Sequence, residues 1–289
     1  MASLLSFSRK KADGGAEERP VLHLSGPKLT EAMERLVTAA EAVGGIEQLV
    51  NAVKLKAALF QESFASGKAD EMPLASFEQL CAFMPTCRRR VAEPLATHGY
   101  DHFRRALAGL TEGGANASDA DARLKAFQGM FPGDRTYRWV RDLGAEVLHF
   151  TWPEPFPLMN RWVWDAKANT GVLREIWHGD NVDHMVIDIP DAHASFVMLR
   201  EELSQFLADN GVFRDMLFYV DLLQAQIYAD YINAQGGTYL RTDFASEADP
   251  LEHLRRILGL DGIDRRSGRT RFKTLDGSAR PVPDTKLLS

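Results

Sequence analysis

The chain has 289 residues, 45% hydrophobic and 26% charged, with a formal net charge of −6. That length supports one large or two small domains, and the composition is that of an ordinary globular protein. The negative balance argues against a nucleic-acid-binding field spread over the whole surface, and no apolar run is long enough to span a membrane as a helix. Two cysteines, Cys81 and Cys87, supply no disulfide framework. The first apolar stretch is too short for a secretory leader and its basic residues follow it, so the expected location is cytoplasmic.

Residues 1–20 are small, charged and aperiodic, and are expected to form a disordered tail. Helical periodicity dominates from about residue 28. Thr30 is placed to cap a first helix, which Gly44 and Gly45 end. Ile46, Leu49, Val50, Val53, Ala57, Phe60 and Phe64 then recur at three- and four-residue spacing up to Gly67, an amphipathic helix. Ser76 and Gln79 suggest a capping box for the next one. Two short helices, 87–98 and 100–110, meet at Gly99, and the small polar run GGANASDAD (113–121) links them to another that ends near Phe131. Asp134 caps a helix from Arg135 to about Phe150.

The stretch from Thr151 to His184 carries four of the five tryptophans, Trp152, Trp162, Trp164 and Trp177, with Pro153, Pro155 and Pro157 barring a long helix at its start. MVIDIP (185–190) suggests an extended segment, and Asp191 a cap for a helix that Asn210-Gly211 ends. The helix from Phe213 to Ala234 has two apolar stripes, the mark of a helix packed on two sides. Of its polar stripes, Asp215, Gln226, Asp230 and Asn233 are assigned to solvent, and Arg214, Asp221, Gln224 and Tyr228 to the interior, where Arg214 and Asp221 would form a clasp. Asp249-Pro250 starts a last helix, and residues 264–289 form a basic, mostly irregular tail. The expected fold is all-α: about ten helices in one domain over 21–263, with an irregular Pro/Trp-rich central segment and flexible termini.

Three groups of residues carry ligand-type chemistry. His178, Asp180, Asp183 and His184 lie within seven residues and would converge on a divalent metal if their loop curls, with Glu175 or His149 as a further ligand. The simpler reading is a polar loop at a helix end. Arg161, Trp162 and Trp164, with Trp177 and the inward stripe Arg214, Asp221, Gln224 and Tyr228, form a candidate pocket able to stack a planar ligand. Core packing is the alternative. Cys87, followed by Arg88, Arg89 and Arg90 in the first turn of a helix, is read first as a half-buried structural thiol, with a reactive thiol of lowered pKa as the alternative. No phosphate loop and no nucleophile elbow is present.

The segments VLHFTWPEPFPLMNRWVWD (147–165) and NVDHMV (181–186) are similar, over less than a fifth of the chain, to helix-hairpin-helix DNA glycosylases. Asp183 and His184 are the counterparts of that superfamily's residues near the catalytic centre, in a different order. The nearest counterpart of the hairpin, LGLDGIDRRSG (258–268), follows them instead of preceding them. The resemblance implies DNA or nucleotide processing, with salt-sensitive binding through Arg265, Arg266, Arg269, Arg271 and Lys273. The leading expectation is different: a cytoplasmic accessory or binding protein that acts through a protein partner, without catalysis and without a cofactor. A metal-dependent enzyme built on 178–184 is the first alternative. No strong catalytic motif points elsewhere.

Overall fold

The computed structural model describes residues 22–179, 181–236, 249–262, 269–273 and 279–281. For Ser66, Asp183, Gly236 and the last two stretches, only the backbone is described. The expected N-terminal tail and the basic residues Arg265 and Arg266 lie outside the described residues.

The fold is all-α. The helices are α1 (Gly26–Glu41), α2 (Ile46–Phe64), α3 (Leu74–Ala82), α4 (Ala92–His98), α5 (Tyr100–Thr111), α6 (Ala120–Gly129), α7 (Trp139–Thr151), α8 (Val172–Glu175), α9 (His193–Asp209), α10 (Met216–Gly236) and α11 (Glu252–Ile257). Arg269–Lys273 (β1) and Ala279–Pro281 (β2) pair as an antiparallel ribbon, so that part of the expected irregular tail is ordered by ladder hydrogen bonds. No helix among the described residues is long and apolar enough to cross a membrane.

Several helix starts differ from the sequence expectation. Helix α1 begins at Gly26, with Ser25 at its N-cap and a proline in its first turn, so Thr30 lies inside it. Pro73 precedes α3, and Ser76 is likewise internal. Asp191 forms an ion pair with Arg141, 3.1 Å away, and the N-cap of α9 is Ala192. In each case proline geometry or a tertiary partner outweighs a local cap worth about 1 kcal/mol.

Two helices form the centre. α10 packs against α1, α2, α8, α9 and α11, and α7 against α2, α5 and α6. Every residue of α7 except Arg141 is buried. The stripe of α10 assigned to solvent is only partly so: Asn233 is exposed, but Gln226 is buried and Asp230 pairs with Arg35 of α1 at 3.2 Å. Asp215 pairs with Lys54 of α2. The Pro/Trp-rich segment 152–171 crosses this centre as irregular chain, with Phe156, Met159, Val163 and Trp164 inside the core.

Candidate functional site

A polar seam runs between α7 and its neighbours. Asp142, Glu146 and His149 lie on α7 at intervals of four and three residues, which puts them on one face. All three are buried, so each needs a partner.

At one end of the seam is His149, whose Nε2 lies 2.9 Å from Asp221 Oδ2 on α10 and whose Nδ1 lies 2.8 Å from the carbonyl of Phe156. One turn back, Glu146 Oε2 accepts from Lys56 Nζ at 2.9 Å, and its Oε1 accepts from Asn160 Nδ2 at 3.2 Å. Lys56 is fully buried on α2. It also donates to the carbonyl of Leu258 at 2.8 Å and lies 3.9 Å from the centroid of the Phe150 ring. Burial pushes Lys56 below the ordinary lysine value and Glu146 above the ordinary carboxylate value. Their mutual attraction opposes both shifts.

In the outermost layer, Asp142 accepts the backbone N–H of Arg161 at 2.9 Å, its Nε at 3.1 Å and its Nη2 at 2.5 Å. Burial alone would lower the Arg161 pKa, but the hydrogen bonds and charge of Asp142 raise it. Beside this pair the Trp162 and Tyr228 rings lie 5.7 Å apart, and Tyr228 stacks on Tyr231 at 5.7 Å. Burial raises the Tyr228 pKa. The side-chain oxygens Asn160 Oδ1 and Gln224 Oε1 are buried without a hydrogen-bond partner among the described residues.

The structure therefore brings together only part of the pocket expected from the sequence. Arg161, Trp162, Asp221, Gln224 and Tyr228 all belong to the seam or border it. Trp164 and Trp177 are core residues: the Trp164 indole donates to the Ile189 carbonyl at 2.9 Å, and Trp177 packs edge-on against His23. Arg214 is exposed and precedes α10, so the expected clasp with Asp221 does not form. His149 takes that place, and Asp142 takes the arginine, Arg161. A concavity of about 280 Å³ lies elsewhere, lined by Asp121, Leu124, Gln128, Arg141, Met159 and Asp191, none of them from the expected pocket.

Of the expected metal ligands, His178 and His184 are exposed. Asp180 and the side chain of Asp183 lie outside the described residues. Among the described residues, no group of three His, Cys, Asp or Glu is arranged to hold a metal. Cys87 fits the structural reading, more deeply buried than expected and outside a helix. It lies in a run of turns before α4, it is fully buried, and its thiol is 3.5 Å from that of Cys81. Burial pushes Cys81 well up. Arg88 forks onto Asp261 at 2.8 and 2.9 Å.

The sequence reading missed Lys56, Glu146 and Asn160. A signal existed for the first: Lys56 shares the apolar stripe of Val53, Ala57 and Phe60, and an ammonium on such a stripe requires a buried partner. Chemically the seam is closed, because each of its charged groups is spent on another. No family model, no curated protein and no solved structure matches this chain.

Proposed function

We propose that this chain is a cytoplasmic accessory protein that acts by binding a protein partner and performs no chemistry of its own. One observation carries the reading. Met185 and Val186 are exposed, Val186 by 77%, on a segment anchored from beneath by Ile187 and Ile189, which are 3% and 6% exposed. An apolar side chain exposed to water costs solvation and gains nothing in the isolated chain, whereas a partner that covers it removes that cost. The closed seam supports the same reading, since its acids and bases neutralise each other inside the core instead of facing a substrate.

The test is a photoreactive amino acid at position 188 in cells that produce the chain, with position 201 on the exposed face of α9 as control. The expected result is one crosslinked polypeptide of constant mass from 188, lost when Val186→Asp is added and absent from 201. Identical patterns from the two positions, or none from 188, overturn the reading.

A further inference from the structure

Met185 is exposed, and from Val186 to Pro190 the segment alternates with period two: Val186, Asp188 and Pro190 are exposed, Ile187 and Ile189 buried. Its backbone hydrogen bonds follow the same parity. The Asn169 amide donates to the carbonyl of Met185 at 2.9 Å and accepts the N–H of Ile187 at 3.1 Å, as a neighbouring strand would. Arg174 also donates to the Met185 carbonyl, and the Trp164 indole donates to that of Ile189. The Met185 carbonyl, the Ile187 N–H and the Ile189 carbonyl are thus directed at the protein.

In an extended chain the even-numbered residues direct theirs to the opposite edge. The N–H and C=O of Val186 and Asp188 make no hydrogen bond among the described residues. The Asp188 carboxylate is exposed and meets no cation among them. A strand edge with regular unpaired groups is a template for another strand, and among the described residues only one of the two edges of this segment is covered.

We propose, resting on the partner reading above, that the Val186–Asp188 edge receives an extended segment of the partner as an antiparallel β-strand. Antiparallel pairing satisfies all four open groups with two partner residues: one opposite Asp188 and, two positions later, one opposite Val186. The side chains at those positions share the exposed face of Asp188 and Val186. Charge and polarity complementarity therefore select a basic residue, any residue, then an apolar residue. The Asn169 amide holds the edge extended before the partner arrives, which lowers the ordering cost of binding.

The probe is a fluorescein-labelled heptapeptide with the core Lys-Thr-Val, titrated into the full chain and followed by anisotropy. Saturable binding is expected, weakened by a factor of about three when glutamate replaces the lysine. The Asp188→Lys variant should reverse that preference. N-methylation at the lysine or the valine of the peptide should abolish binding, and at the central threonine should leave it intact, because only the outer two residues face the open groups. Asn169→Ala should weaken binding of the unmodified peptide.

No saturable binding up to about 1 mM peptide, a ceiling worth roughly 4 kcal/mol, overturns the proposal. Equal loss from all three N-methyl positions overturns it as well. A concentration-dependent dimer in sedimentation, abolished by Val186→Pro, gives the edge to a second copy of the chain and also overturns it. A crosslink from position 188 without peptide binding removes the strand proposal and leaves the partner reading standing. Peptide binding without a cellular crosslink does the reverse.

Discussion

Replacing Lys56 with methionine isolates the energetics of the seam. The variant keeps a side chain of similar length in a fully buried site but removes the ammonium that donates to Glu146 at 2.9 Å and to the Leu258 carbonyl at 2.8 Å. Glu146 is left with one hydrogen bond, 3.2 Å from Asn160. Removing one partner of a buried ion pair costs about 3–5 kcal/mol, because the remaining charge stays desolvated. The orphaned Leu258 carbonyl adds about 1 kcal/mol. The double variant Lys56→Met/Glu146→Leu removes both charges, so it should lose no more than Lys56→Met alone, and the cycle should show a coupling of about 3 kcal/mol. Urea unfolding followed by the fluorescence of the buried Trp139 and Trp164 measures all four proteins.

The pH dependence gives a second check on the same pair. Without Lys56, only the hydrogen bond from Asn160 opposes the burial that already raises Glu146 above 4.5. The folded variant then holds a proton that the unfolded chain releases as pH rises past its ordinary value, so its stability falls with rising pH through that window. The deficit relative to the unaltered chain should therefore be smaller near pH 5 than near pH 8. If the losses of the two single variants add in the double variant to within about 0.5 kcal/mol, the pair is not coupled and the account of the seam is refuted.

Gly259 has φ +70°, and a Cβ there would come within 1.9 Å of the Phe83 carbonyl oxygen. Gly259→Ala should cost about 3 kcal/mol or more, since the obstacle is backbone and the φ is unfavourable to alanine. An unchanged urea midpoint would contradict this seating of α11 on the end of α3. Burial raises Tyr100 and Tyr219 to about 12, with the Glu47 carboxylate reinforcing the shift at Tyr219. The folded chain keeps these protons where the unfolded chain loses them, so their stabilisation is complete below the ordinary value near 10 and is lost as pH rises toward 12. In an absorbance titration of tyrosinate, Tyr100→Phe and Tyr219→Phe should each remove one group from the late phase and none from the phase near 10. Both thiols should resist a disulfide reagent in the folded chain and react in denaturant, since Cys81 and Cys87 are fully buried. Fast labelling of Cys87 alone would restore the reactive-thiol reading.

What the sequence determined by itself was helix and strand character. The stripe from Ile46 to Phe64 and the alternation of MVIDIP are local patterns, because a helix or strand presents its buried face at its own period. The all-α architecture and the irregular Pro/Trp segment were legible for that reason. Tertiary structure alone decided which polar residues went inside and with whom. Gln226 and Asp230 look like a solvent face until α1 covers them, and nothing local separates Arg161 from Arg214 as the arginine that is paired in the core. Lys56 and Glu146 stand 90 residues apart and His149 and Asp221 stand 72 apart, distances at which no periodicity carries information. A buried charge and an exposed one leave the same mark on a sequence. The difference between them is desolvation, which exists only once the helices have packed.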